Sequence, residues 1–499
     1  MNITRAAIEN NRVTFVALCV VALAGYDAFN GMSRAEDPGF IIRTAQVMTF
    51  FPGASPERVE QLVTDKLEKT IQEIPQLDFV NSTSRSGVSQ VFVNIKESES
   101  HMRPIWDDLR RKVDRASREL PEEAIGPFVN DEFGDVFGTV ILLTGEGFSY
   151  AELKEVAEQT RNELLTLPDA AKVDIQGTQQ ERVFVEYSNA RLAEVGLSAA
   201  QLMQILQQRN IVLPGGSIDT GDERIALEPS GNFESVDELR RTIIDVPGSH
   251  ELMYLEDIAR VERGYVDPAE VRVRAGGEPA LALSVSLREG GNLIDLGEQV
   301  KSRVRQLESR YPIGVEFDFV AFQPEIVDRK VKDFVSNLLQ AVAIVMVVML
   351  VSLGLRTGMV VSSLIPMTML AALLVMSVFG IGLDQMSLSA LIIALGLLVD
   401  NAIVMSESIL VGMGKGKSAF DAAMESAQEL KVPLLTASLT TAAAFLPIYL
   451  AESSTGEYTA PLFKVVSITL LCSWILSLTM IPLLCVKFMR APKSAGDDG

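Results

Sequence analysis

Two adjacent polar residues, Asp400 and Asn401, sit inside the run Leu395-Gly396-Leu397-Leu398-Val399-Asp400-Asn401-Ala402-Ile403-Val404, where every other residue is apolar or glycine. An acid at the centre of a bilayer costs roughly 2.5–3.5 kcal/mol, so such groups normally face a helix bundle or a water path and mark a route for ions or protons. A carboxyl group withdrawn from water keeps its proton more readily and releases it when a cation or water approaches. Asp400 is therefore the candidate proton carrier. Asn401 cannot titrate but can hydrogen-bond, and completes the expected proton relay. Gly396 lies one helical turn before Asp400 and leaves room for a neighbouring helix or a file of water. Simple close packing explains the same glycine equally well. Glu407, about two turns after Asp400, is near the end of the apolar run and reads as interfacial, because terminal charges cost little.

Other chemistry finds little support. His101 and His250 are the only histidines and are far apart in sequence, which argues against a histidine triad or a multi-histidine zinc site. The stretch from Gly412 to Ser418 imitates a phosphate-binding loop, but Val411 occupies the position of its first glycine and no strand precedes it. It reads as a basic loop. Met346, Met349, Met367 and Met376 lie in apolar runs, where methionine is ordinary packing material and not a sign of soft-metal export. Cys19, Cys472 and Cys485 also lie in apolar runs, so the polar region has neither a disulfide nor a CxxC metal framework. No metal and no cofactor is expected beyond a proton gradient, and no enzymatic activity.

These residues need a membrane around them. In a chain of 499 residues, mean hydropathy is +0.23 although 22% of residues are charged, which implies separate apolar and polar regions. Six apolar runs approach the ~20 residues that cross a bilayer core: Val13–Phe29, Phe334–Leu355, Met359–Ile381, Met386–Leu410, Val432–Leu450 and Leu462–Phe488. Arg5, Arg12, Arg356, Lys415, Lys417, Lys431, Lys487 and Arg490 all flank these runs on one side. The positive-inside rule makes that side cytoplasmic. Both termini are then cytoplasmic, and residues 31–333 lie outside the inner membrane, in the periplasm of a Gram-negative cell. The basic start and Ala22-Leu23-Ala24 also imitate a cleavable signal peptide ending before Gly25, which would leave the rest of this topology unchanged. The formal charge of −21 argues against nucleic-acid binding.

The polar region reads as repeated βαβ units. Thr44–Phe51 alternates as a strand, Pro52-Gly53-Ala54 turns the chain, and Ser55 and Pro56 open a helix running to about Glu73. Strands are expected at Phe79–Ser84 and Ser89–Ile95, then a helix on Ile105, Leu109, Val113, Ala116 and Leu120. The plan restarts at Val136–Leu143, with Ser149 and Glu152 as a capping box and strands at Lys172–Gln176 and Val183–Tyr187. Ser198 with Gln201 and Ser235 with Glu238 repeat the capping signature on either side of Leu213-Pro214-Gly215-Gly216, which predicts an inserted subdomain with a protruding hairpin. A helix Leu293–Arg310 and a strand Gly314–Val320 close the second unit. The expected class is thus an α+β membrane protein, with six transmembrane helices and two ferredoxin-like units carrying an insertion.

Three landmarks make the chain resemble resistance-nodulation-division transporters, especially the hydrophobe/amphiphile efflux branch: Phe51-Pro52-Gly53-Ala54-Ser55-Pro56-Glu57, the run from Gly396 to Val404, and Phe445-Leu446-Pro447. The resemblance covers nearly the whole chain. It implies a cytoplasmic start and first span over 1–30 and a first porter subdomain over 31–131, closed by about 310–325. It places the second porter subdomain at 132–177 and 268–309, a docking insertion at 178–267, spans two to six within 334–488, and a cytoplasmic tail at 489–499. It further implies a trimer in the bacterial inner membrane, with a periplasmic adaptor and an outer-membrane channel, expelling amphiphilic small molecules by proton antiport. Many such transporters carry two adjacent acids where this chain has Asp400 and Asn401, so one proton carrier per half is expected. Full-length members repeat the whole plan, which makes this chain the N-terminal half of a longer protein or one half of a split transporter. The missing half would supply the lysine that pairs with Asp400. Alternative readings are a Sec-type or lipid-handling relative and a non-transporting half subunit.

Overall fold

The computed structural model describes residues 3–132, 136–209, 217–219, 224–226, 233, 235–245, 252–269 and 271–489. A short helix α1 (Ile3–Glu9) precedes the long apolar helix α2 (Asn11–Gly31). Val13, Val16, Val20 and Leu23 form an exposed stripe at helical spacing along α2.

The first sheet unit begins with β1 (Thr44–Phe50), whose alternate residues Ala45 and Val47 are fully buried. Gly53 takes φ +80° in the turn that follows, a conformation that favours glycine. Ser55 then stands at the N-cap of α3 (Pro56–Val59), with Pro56 at the first helical position but no side-chain cap bond. A π-turn, Glu60–Thr64, leads into α4 (Asp65–Ile71). Next come β2 (Leu77–Arg85), β3 (Val88–Ile95), α5 (Met102–Ser117) and β4 (Ile125–Asn130). The strands form one antiparallel sheet in the order β2-β3-β1-β4. Leu67 and Ile71 from α4 and Leu109 and Val113 from α5 close its core against Val47, Val91 and Val93.

The second unit repeats this plan. It comprises β5 (Thr139–Gly145), α6 (Tyr150–Leu164) and β6 (Ala170–Gln176), and resumes after an insertion. Ser149 and Glu152 form the expected capping box at the start of α6. Within the insertion lie β7 (Glu181–Tyr187), α7 (Asn189–Glu194), α8 (Ala199–Arg209), the paired strands β8 (Ser217–Asp219) and β9 (Arg224–Ala226), and α9 (Val236–Arg240). They are followed by β10 (Ile243–Asp245), β11 (Leu252–Tyr254), α10 (Leu255–Ile258) and β12 (Ala259–Tyr265). Leu213-Pro214-Gly215-Gly216 lies outside the described residues. The expected strand Val183–Tyr187 does not extend the second sheet. As part of β7 it pairs with β12, and the insertion has its own core around Leu192, Leu202, Ile244 and Leu255.

The second sheet is completed by β13 (Val273–Ala275), β14 (Glu278–Leu287), α11 (Leu293–Glu308) and β15 (Val315–Phe322). β14 pairs with β6 and β13 on one side and with β5 on the other, and β15 pairs with β5. The order β6-β14-β5-β15 therefore matches β2-β3-β1-β4 position by position. Residues 310–325 consequently close the second unit and not the first, whose fourth strand is its own β4. The reason is register: Phe317 opposes Leu143 and Phe319 opposes Ile141 within one apolar face.

β15 passes without a loop into α12 (Gln323–Leu353). There follow α13 (Leu355–Val378), α14 (Gln385–Gly414), α15 (Ala419–Ala443), the short α16 (Leu446–Tyr449) and α17 (Ser454–Phe488), which packs on α13, α14 and α15. Among the described residues, five helices are long and apolar enough to cross a membrane: Asn11–Gly31, Gln323–Val348, Arg356–Val378, Gln385–Gly414 and Ser454–Phe488. The expected span Val432–Leu450 is not one of them. Its helix α15 starts earlier, carries Asp421, Glu425, Glu429 and Lys431 in its first half, and stops at Ala443 before the turn containing Pro447.

Close approach of α2 to α13 depends on Gly25, where a methyl group would overlap the carbonyl oxygen of Leu370. Backbone cannot yield as a side-chain tip does, so Gly25→Ala is expected to cost about 2 kcal/mol of overpacking. A melting temperature unchanged in detergent would rule out this seating of α2.

Candidate functional site

The start of α14 is fixed by Asp384, whose carboxylate accepts hydrogen bonds from the N–H groups of Met386 (2.9 Å) and Ser387 (2.8 Å). Its own N–H donates to Ser387 Oγ at 2.8 Å. Burial pushes the Asp384 carboxyl above its ordinary range, and the donated hydrogen bonds oppose that shift. From this cap the helix carries Gly396, Asp400 and Asn401 into the apolar layer.

Asn401 is 5% exposed. Its Nδ2 donates to Ser438 Oγ of α15 and Ser473 Oγ of α17, both at 3.3 Å, and Ser473 Oγ donates to the Leu398 carbonyl at 3.4 Å. A further hydroxyl contact joins α14 to α15, Ser408 Oγ to Ser426 Oγ at 2.9 Å. These small polar groups form a seam among three helices, where each bond satisfies a group that hydrocarbon could not.

Asp400 faces elsewhere. Consecutive helical residues are rotated by about 100°, and the rotation that buries Asn401 leaves Asp400 exposed. Among the described residues it has no hydrogen-bond or ion-pair partner. Gly396 belongs to the same open side, because a Cβ built there meets no heavy atom within 4 Å. Ile393, Val404 and Val411 extend this exposed stripe, and Glu407 is exposed on it too. The structure thus brings Gly396 and Asp400 together on one face and sets Asn401 apart in the bundle. Among the described residues no helix uses the room that Gly396 leaves.

A second polar cluster, unnoticed in the sequence, joins the first sheet unit to α17. Arg43 is 6% exposed. Its Nε donates to the Glu99 carbonyl (2.8 Å), and its Nη1 to the Ile41 carbonyl (3.2 Å) and Glu457 Oε2 (3.2 Å). Its Nη2 makes a further short contact to the other oxygen of Glu457. The Ile41 N–H also donates to Glu457 Oε2, at 3.0 Å.

A parallel tie holds the segment after α2 to the helices. Lys330 Nζ of α12 donates to Glu36 Oε1 and Gln385 Oε1, both at 2.9 Å, and Gln323 Nε2 donates to Glu36 Oε2 at 2.6 Å. The Lys330 ammonium beside it holds the Glu36 carboxyl below the usual carboxylate range, helped by Gln323. A folded-state value below the unfolded one means that this tie stabilises fully above the ordinary range and is lost as pH falls through the lowered value.

Comparison with known proteins agrees with this architecture. The family model described as the AcrB/AcrD/AcrF family matches residues 3–498. The chain is similar to an uncharacterized transporter of Haemophilus influenzae, 24% identical over 482 residues that cover 95% of this chain and 46% of that protein. It therefore spans about half the length of this curated relative.

Proposed function

This chain belongs to the AcrB/AcrD/AcrF family of transporters, and on that premise we propose that it is one half of a proton-driven exporter of amphiphilic compounds. The observation that carries the reading is Asp400: an acid beside Gly396 on the open face of an apolar helix, without a partner among the described residues. Such a face is suited to completion by another set of helices, and in this reading a second half of the transporter brings the counter-charge and a proton path. In this reading Asp400 takes up and releases the proton, while Asn401 anchors α14 to α15 and α17 as the non-titrating member of the relay.

Each proton entering down a ~100 mV potential releases about 2.3 kcal/mol. That is enough to bias a two-state tilt of the sheet units. We read the two units as ferredoxin-like porter subdomains in the periplasm, with residues 178–267 as a docking insertion. We read α15 with α16 as a sixth span and place both termini in the cytoplasm. The working assembly is a trimer in the inner membrane with a periplasmic adaptor and an outer-membrane channel.

The test is export of an amphiphilic dye from cells carrying the intact system. Collapse of the proton gradient with an uncoupler should abolish export, whereas depletion of ATP with the gradient preserved should not. Export that survives the uncoupler overturns the reading, and stimulated passage of unfolded secretory proteins would replace it with a Sec-type function.

A further inference from the structure

We propose that the groove between α2, α13 and α17 is a binding site for an anionic phospholipid, with one acyl chain in the groove and the phosphate at its basic end. The groove encloses about 580 Å³. Its walls are apolar, with Leu18 and Ala22 from α2, Met359 and Met367 from α13 and Leu484 from α17, and Ser363 is a lone hydroxyl partway along. Along α13 it runs from Arg356 to Met367. At 1.5 Å per residue that is about 16 Å, close to the half-thickness of a ~30 Å hydrocarbon core. The dimensions fit a single lipid tail lying in one leaflet.

Charge settles which lipid. Arg356 lines one end of the groove together with Phe15 and Phe488. Lys487 reaches the same end from α17, its Nζ lying 4.5 Å from the centre of the Phe15 ring. Arg12 precedes Phe15 by three residues on α2 and so falls on the same helix face, one turn nearer the end. Three helices thus each bring one cation to the mouth. None of the three has a carboxylate partner among the described residues, although many other cations of the chain are paired. A zwitterionic headgroup brings an ammonium along with its phosphate and neutralises little of this charge, whereas a phosphate diester with a net negative charge supplies the missing counter-ion. A basic pocket between helices at a cytoplasmic membrane surface is the kind of site that holds such headgroups.

Among the residues that line the groove none belongs to α14, the helix of Asp400, so the site stands or falls independently of proton coupling. The test uses the purified full-length chain in detergent, with phosphatidylglycerol and phosphatidylcholine of identical acyl chains as probes and native mass spectrometry as the readout. Phosphatidylglycerol should be retained in preference, and Arg356→Gln with Lys487→Gln should weaken its binding about 25-fold, roughly fivefold per cation, leaving phosphatidylcholine unchanged. Ala22→Trp, which fills the groove, should remove both. A second measurement needs no change at the mouth. Cys19 lines the groove and is exposed, so phosphatidylglycerol should slow its alkylation while glycerol phosphate alone should not. Equal retention of the two lipids, unaltered binding by the double variant, or alkylation of Cys19 indifferent to lipid would overturn the proposal. Cross-linking that finds a second copy of the chain over the groove would do the same.

Discussion

Asp400→Asn is expected to reduce dye export to the level of cells lacking the transporter, while the protein still inserts and melts as the wild type does. Asparagine preserves the volume and hydrogen-bonding capacity of the side chain but cannot exchange a proton, so only coupling is removed. One proton at ~100 mV supplies about 2.3 kcal/mol, which corresponds to roughly a 50-fold concentration ratio. That ratio is what the variant should forfeit. Exposure of Asp400 is why the fold should tolerate the change: among the described residues no hydrogen bond or ion pair depends on the carboxylate. Asn401→Ala provides the contrast. It removes two bonds to buried serines, each worth ~0.6 kcal/mol in membrane bundles, and should soften the packing of α14 with partial retention of export. If the two variants have equal effects, the division of labour between these neighbours is wrong.

The second large effect concerns Arg43 and Glu457. Glu457→Ala should destabilise the junction between the first sheet unit and α17 by about 3 kcal/mol, because the buried guanidinium loses its closer carboxylate and keeps only Glu97, at 3.4 Å. The side chains are unequally covered, Arg43 being 5% and Glu457 32% exposed. Removal of Glu457 therefore leaves a buried charge with only the longer contact to the half-exposed Glu97, whereas removal of Arg43 leaves a carboxylate that water can reach. Arg43→Met, which keeps much of the aliphatic stem, should accordingly cost less, on the order of 1–2 kcal/mol for lost charge-assisted bonds to Glu457 and two carbonyls. Melting of the two single variants and the double variant closes a cycle. Additive losses would show that the pair is no more than an exposed surface contact, which contributes ~0–1 kcal/mol.

What could be read from the residues in advance was whatever is settled within a few positions of chain. The capping box of Ser149 and Glu152 is four residues of local hydrogen-bond chemistry, and it forms. Ile105, Leu109, Val113 and Ala116 repeat at helical spacing, and all four are buried. β4 carries no clear strand pattern because Gly126 and Pro127 interrupt its alternation, as an edge strand allows and a central strand does not. The residues of β7 read as a strand, but its partner β12 is distant in sequence and no local signal states the pairing. Arg43 and Glu457 are 414 positions apart, and nothing near either residue announces the other. At the candidate site the residue types were legible but their directions were not. Which of Asp400 and Asn401 turns inward is decided by Ser438 and Ser473 on other helices.

The matching strand orders of the two sheets have a consequence for how this architecture varies. Between β2 and β3 the first sheet makes a tight hairpin at Ser86 and Gly87, and at the corresponding corner of the second sheet, between β6 and β14, residues 177–277 intervene. One scaffold thus accepts either a two-residue link or an entire appendage at the same vertex, with its strand neighbours unchanged. Evolution has at that vertex a grafting point: what hangs there can be lengthened, exchanged or pruned to suit a different companion, while the layers beneath keep their pairing.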